Sequence, residues 1–256
     1  YKIKAELTAS ERVGFHKYSF DKADDAHILL DLADGLGWDK PIKTFIKKTG
    51  NNSLVGYRLS KGWADDQRVF FAIEFSEPIT NMALYDSISS VKGNEGEAVR
   101  MKAVLDFNLK KGKTILVKVG VSPVSYENAL ANIKAEIPHW DFAKTTQQAI
   151  IKWNAELNKI QIKADEDTKK IFYTALYHTT FAPSIFNDAN GDYRGTDKKV
   201  YKNAGFTNYT TFSLWDTYRA LHPLYTITQP DKINDIVKSF LAIYQQQGRL
   251  PVWHLM

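Results

Sequence analysis

From the first residue to about residue 122, apolar and polar side chains alternate in short runs. YKIKAELT (1–8), RVGFHKYSF (12–20), HILLDL (27–32), LVGYRLS (54–60), RVFFAIEFS (68–76), TNMALYD (80–86), RMKAVLDF (100–107) and TILVKVGVS (114–122) read as half-buried strands. Turn residues lie between them: Gly35 and Gly37, Gly50 to Ser53, Lys61-Gly62, Gly93-Asn94 and Lys110 to Gly112. Short strands at such spacing, with no helical pattern between them, predict an antiparallel β-sandwich. Lys and Glu interleave with the apolar positions, so each sheet is expected to keep one wet face.

After Pro123 the period lengthens. Tyr126 to Ile137 reads as a helix ended by Pro138, and Phe142 to Leu157 sets Phe142, Ala149, Ile150, Trp153 and Leu157 near one face. Asp165-Glu166-Asp167 opens a third helix, because acidic residues suit the positive end of a helix dipole. It runs to Pro183. A fourth follows Gln229-Pro230 and stops at Gly248, with Pro and Gly at the two ends that tolerate them. Strands first and helices afterwards predict two packed domains rather than a βαβ fold. The expected division is a partial sandwich over residues 1–122, linker helices over 123–150, and an all-α part over 151–256.

Composition narrows the function classes. Hydrophobic residues make up 44% of the 256 and charged residues 25%, as in ordinary globular proteins. Aromatic residues reach 13%, a surplus that serves packing or ring-shaped ligands. The +5 charge is scattered with no basic run or nucleic-acid module, so no nucleic-acid partner is expected. Cysteine is absent, which excludes disulfides and thiolate metal sites. No apolar run is long enough for a transmembrane helix. Residue 1 falls inside a strand pattern and the last residues, RLPVWHLM, are an apolar run. Both ends therefore read as cuts within a longer polypeptide.

Chemistry concentrates in FSLWDTYRALHPLY (212–225). Ser213 and Asp216 have the spacing of a capping box, with Asp in place of the usual Glu or Gln. Trp215 and Arg219, four apart, can stack, and His222 before Pro223 reads as a satisfied helix-end histidine. The alternative is a helix lining a polar pocket, and spacing alone leaves both open. Asn187 to Arg194 has Asp188, Asn190 and Asp192 at EF-hand spacing, but Tyr193 replaces the required Gly and Lys199 the closing Glu. A turn is expected there instead, with Tyr193 and Arg194 placed straight after it. His178 has no second His at ligand spacing and reads as core.

Three stretches resemble consecutive motifs of the family 92 glycoside hydrolases: residues 173–195 (YTALYHTTFAPSIFNDANGDYRG), 208–232 (NYTTFSLWDTYRALHPLYTITQPDK) and 248–256 (GRLPVWHLM). The stretch ENALANIKAEIPHWDF (127–142) and the strand-rich start are similar too, so the resemblance covers nearly the whole chain. It implies an N-terminal β-sandwich joined to the first helices of an (α/α)6 barrel. It also implies an exo-acting, inverting, calcium-assisted α-mannosidase acting on terminal mannose of glycans, secreted, periplasmic or at the cell surface. The substrate-binding residues it implies are Trp215 and Asp216, with Tyr193, Arg194, Trp253 and His254. The family's general acid, base and calcium ligands correspond to positions beyond residue 256. No catalytic residue or metal ligand is therefore assigned here, and the piece alone is expected to be inactive. A carbohydrate-binding or interaction module using the sandwich is the alternative. Trp38 and Trp63 discriminate: exposed together they favour it, whereas single sandwich tryptophans are usually core.

Overall fold

The computed structural model describes residues 3–21, 26–35, 37–109 and 114–255. It divides into two compact units, Tyr1–Thr146 and Gln147–Met256.

The first unit holds β1 (Ile3–Ala9), β2 (Val13–Phe20), β3 (Ala26–Asp31), β4 (Lys40–Gly50), β5 (Ser53–Lys61), β6 (Gln67–Phe75), β7 (Ile79–Asp86), β8 (Ser89–Val91), β9 (Glu95–Ala98), β10 (Met101–Phe107) and β11 (Thr114–Ser122). Among the described residues they form a seven-stranded sheet ordered β1-β2-β11-β6-β5-β4-β9 and a four-stranded sheet ordered β3-β10-β7-β8. The sandwich core lies between them. Ile46, Leu54, Phe71, Phe75, Ile115 and Val117 of the larger sheet meet Ile79, Leu84, Met101, Leu105 and Phe107 of the smaller. Strand β4 escapes the alternation reading because its register shifts twice, at Pro41/Lys43 and at Lys48/Gly50. Each bulge resets the period of two.

The expectation of one wet face per sheet fails for the larger sheet. Helix α1 (Tyr126–Glu136) lies on its second face, burying Ala129 and Ile133, with Ile137 just beyond its end, against Val13, Phe15, Val55 and Ala72. At about 1.5–3 kcal/mol per fully buried aliphatic side chain, this is a substantial second core. Ser125 caps α1 by accepting from the Asn128 amide at 3.2 Å. Asn132 donates to the Val121 carbonyl at 2.9 Å. Gly120 permits the close approach, since a Cβ there would lie 2.4 Å from the Ala129 carbonyl oxygen. Glu136, at the helix end, accepts from the Ser10 hydroxyl (2.5 Å), the Arg12 amide (2.9 Å) and Arg12 Nη1 (2.7 Å). Lys118, on this face of β11, is only 2% exposed, its ammonium 4.1 Å from the Trp140 ring centroid. Desolvation lowers its pKa.

Trp38 and Trp63 are not core residues. They are 63% and 62% exposed and stack on each other, centroids 5.7 Å apart. Each stands just outside a strand end, after Gly37 and Gly62, where the chain turns away from the sheet.

Helix α2 (Phe142–Leu157) runs across the division between the units, and α3 (Glu166–His178) follows, capped by Asp165 accepting from the Thr168 amide at 2.9 Å. Trp153 of α2 meets Tyr177 of α3, centroids 4.9 Å apart. The apolar faces of these helices stay largely open: Ile150, Ile151, Trp153 and Ile171 are exposed, and α3 buries no residue. His178, expected in the core, is exposed as well, with Tyr177 and Phe181 beside it. Periodicity identified a face, and the described residues supply nothing that covers it.

The chain then forms three small ladders and three helices. The ladders pair β12 (Ser184–Ile185) with β15 (Tyr209–Thr210), β13 (Tyr193–Arg194) with β14 (Val200–Tyr201), and β16 (Phe212–Ser213) with β17 (Trp253–His254). The helices are α4 (Leu214–Thr217), α5 (Leu221–Thr228) and α6 (Pro230–Gln247). Pro230 opens α6, and Gly248 closes it in the left-handed conformation, φ 77°. Tyr209, Phe212, Tyr225, Ile236 and Ile243 form the core of this unit.

Candidate functional site

Two distant segments meet at one ladder. Phe212 pairs with His254 and Ser213 with Trp253, and the Leu214 amide donates to the Val252 carbonyl at 2.9 Å. Helix α4 leaves this ladder at once, so the strand pairing sets Trp215 and Asp216 close along the chain from the Ser213–Trp253 pair. Trp215 is 73% exposed and Trp253 57%, and Asp216 and Tyr218 are exposed beside them. These exposed side chains therefore lie on, or within a few residues of, one short ladder.

Ser213 does not form the capping box that its spacing allowed. It makes no side-chain cap bond; its hydroxyl donates to Asp216 Oδ2 at 2.5 Å. The backbone at Ser213 (φ −125°, ψ 65°) departs from ordinary cap geometry, and the helix it opens is a single turn. The consequence is chemical. One oxygen of Asp216 is held by Ser213, which orients the carboxylate on a short, braced element. Arg219 also departs from expectation. Its Nε donates to the Tyr218 hydroxyl at 2.7 Å and its guanidinium lies 5.5 Å from the Tyr218 ring centroid, so it stacks there and not on Trp215.

His222 is not a satisfied histidine: neither buried ring nitrogen has a hydrogen-bond partner among the described residues. Its ring lies among Tyr225 and Phe240, centroids 6.0 Å and 6.5 Å away. His254 is buried against Phe212, and desolvation pushes its pKa down to about 4, so it is neutral at physiological pH. The Tyr225 hydroxyl sits 2.6 Å from the Thr179 carbonyl and 2.7 Å from the Ala182 carbonyl, tying α5 to the turn after α3; burial pushes its pKa up to about 12.

Tyr193 and Arg194 sit in a separate hairpin and are each 4% exposed. Tyr193 stacks on Tyr201, centroids 5.2 Å apart, and accepts from Gln246 of α6 at 3.0 Å. Their side chains are committed to packing in this unit and offer a sugar little surface. The loop before them is a turn, as its sequence indicates. Asp192 accepts from Asn190 (3.1 Å), Lys202 (2.7 Å) and the Asn203 amide (3.1 Å). A cleft of about 480 Å3 opens alongside, lined by Tyr193, Tyr201, Phe206, Lys238 and Gln246 among others. Sequence reading missed it because its lining comes from two segments, the 193–206 hairpin region and α6, about thirty residues apart in the chain.

Among the described residues, no group of three or more His, Asp or Glu side chains could hold a metal ion. The described residues therefore do not by themselves fit the calcium ion implied by the resemblance. Nor is any described helix long and apolar enough to cross a membrane.

A sandwich followed by helices is the architecture, and the family comparison specifies its class. The glycosyl hydrolase family 92 N-terminal domain matches residues 1–122, and the glycosyl hydrolase family 92 catalytic domain matches residues 128–256. The chain belongs to this family.

Among solved structures, the family GH92 α-mannosidase BT3965 from Bacteroides thetaiotaomicron is 34% identical with a TM-score of 0.95, over 100% of this chain and 36% of its own. The same enzyme in complex with mannoimidazole matches at 34% identity and TM-score 0.94, over 100% of this chain and 35% of that one. The fold is also that of the inverting mannosidase BT2199 from Bacteroides thetaiotaomicron VPI-5482, at 24% identity and TM-score 0.87, over 98% of this chain and 34% of that one. The chain thus spans about a third of the length of these structures. No curated protein matches it.

Proposed function

We propose that the protein carrying this chain is an exo-acting α-mannosidase that removes terminal α-mannose from glycans with inversion at the anomeric carbon. The observation that carries the reading is exposed Asp216, held by Ser213, with exposed Trp215 next to it in sequence and exposed Trp253 paired across the ladder from Ser213, in a chain 34% identical to a family α-mannosidase. A carboxylate accepts hydrogen bonds from two sugar hydroxyls, and an indole covers the apolar face of a pyranose. In this reading Trp215 and Asp216 bind the mannose, and Trp253 extends the same aromatic surface. Tyr193, Arg194 and His254 are buried and are not expected to meet the sugar directly.

Inversion requires a general acid on the leaving oxygen and a general base activating water from the opposite face, about 6.5–9.5 Å apart. Neither is assigned to a residue of this chain, nor is any calcium ligand. We therefore place acid, base and calcium with residues outside it, and expect the 256-residue chain alone not to turn over substrate. External glycans as substrates imply a secreted, periplasmic or cell-surface location.

Hydrolysis of a terminal α-mannoside by the full-length protein, followed by NMR, tests the reading. β-Mannose appearing first supports it, whereas α-mannose first, or no release, refutes it. Asp216→Ala is expected to cut kcat/KM at least about a hundredfold, on the scale of losing charge-assisted hydrogen bonds to substrate. Chelation of calcium is expected to abolish turnover. The alternative of a carbohydrate-binding module gains support from the exposed Trp38–Trp63 pair.

A further inference from the structure

The β4–β5 ladder ends in an arrangement that the proposed reaction does not use. Lys40 pairs with Lys61, the last rung before the strands part. Trp38 lies two residues before Lys40 and Trp63 two residues after Lys61, so both project from the same open end of the hairpin, in register. The backbones stay close there: a Cβ on Gly62 would lie 2.9 Å from the Asp39 Cα. Asp39, next to Trp38, pairs with Arg58 of β5 at 2.5 Å, and both side chains are largely buried. Arg58 Nε also donates to the Leu32 carbonyl at 3.1 Å. The segment carrying Trp38 is thereby braced against the strand leading to Trp63.

Two large indoles, each more than 60% exposed, are held on a rigid base instead of being folded inward. Polar groups stand beside them, the exposed Lys61–Asp65 pair among them. We propose that the stacked Trp38–Trp63 pair forms a binding platform for a pyranose chain, with the ring faces that the stack leaves outward taking the apolar side of the sugar and the charged rim taking its hydroxyls.

Area decides against a protein partner. Two indoles contribute at most about 150–250 Å2 each, whereas a stable protein interface needs about 800 Å2 per partner. A sugar ring matches the size of the patch. Pre-ordering by the Asp39–Arg58 pair also spares the ligand the cost of fixing the loop. The choice of an α-mannoside chain as the ligand rests on the function proposed above; the pyranose class does not.

Affinity electrophoresis of the full-length protein through gels containing α-mannan or a mixed-linkage β-glucan tests the platform. Mannan is expected to retard the wild type, and Trp38→Ala/Trp63→Ala to weaken apparent affinity at least about tenfold. Trp38→Phe/Trp63→Phe keeps ring faces and is expected to recover most of the retardation. Equal retardation of the wild type and the alanine variant overturns the proposal, as does no retardation in either gel. If the alanine variant fails to fold, iodide quenching decides: the wild type must lose more fluorescence than the phenylalanine variant. Equal quenching means the rings are covered by the protein's own polypeptide, which also overturns the proposal. Retardation that depends on the tryptophans, with no release of mannose, would leave the platform standing and defeat the proposed mannosidase.

Discussion

His254 should make the second unit sensitive to mild acid. Its imidazole is buried against Phe212, with its pKa pushed from the ordinary 6.5 to about 4 by desolvation. Below pH 6.5 the unfolded chain protonates this residue while the folded chain does not. The unfolded state therefore binds more protons between about pH 6.5 and pH 4, and stability falls as pH falls through that window. At about 1.36 kcal/mol per pH unit, the full displacement from about 6.5 to about 4 amounts to about 3 kcal/mol. That is a large fraction of the 5–15 kcal/mol typical of a whole domain. The assay has two arms. An NMR titration of the His254 Cε1 proton should show no midpoint above about pH 5. Urea denaturation of the wild type and of His254→Leu, compared from pH 7 to pH 4, should show the variant losing about 3 kcal/mol less across the window. A titration midpoint at pH 6 or above, or parallel losses in the two proteins, would refute the reasoning. The residue also bears on the site: a neutral imidazole behind Trp253 adds no positive charge where the mannose is proposed to dock.

Two further perturbations test packing within each unit. Gly120→Val places a side chain 2.4 Å from the Ala129 carbonyl oxygen and 2.7 Å from Ile133 Cγ1. It should cost about 1–3 kcal/mol by overpacking against α1, read as a lower urea midpoint for the sandwich unit; an unchanged midpoint would mean α1 is not docked there. Asp192→Ala removes the acceptor shared by Asn190, Lys202 and the Asn203 amide. It should cost about 2 kcal/mol, the scale of hydrogen bonds to a charged group, and open residues 187–205 to limited proteolysis.

The strands were legible because their core is internal to the chain: both inner faces of the sandwich come from within residues 1–122, so alternation and burial coincide. Strand β4 was not, because two bulges break its period. The helix on the back of the larger sheet did leave a signal. Gly120 sits inside strand β11, and a glycine inside a strand often marks a close approach of another backbone. In the helical half, periodicity identified the apolar stripes of α2 and α3 but could not say what meets them, and His178 was misplaced for that reason.

The candidate site was legible only through resemblance. Spacing left Ser213 and Asp216 equally suited to capping a helix and to holding a ligand, and the fold separates the two roles. The helix breaks after one turn, so little is gained by capping it, and the Ser213 hydroxyl turns to the carboxylate. A serine that donates to an exposed aspartate does nothing for helix termination but fixes where that aspartate points. The same logic joins Trp253 to the site. It lies 40 residues from Ser213 in sequence, and a two-residue ladder sets it opposite that serine. Local spacing cannot reveal such a pairing, because neither segment is long enough to show strand alternation, yet it sets exposed Trp253 opposite the serine that holds Asp216.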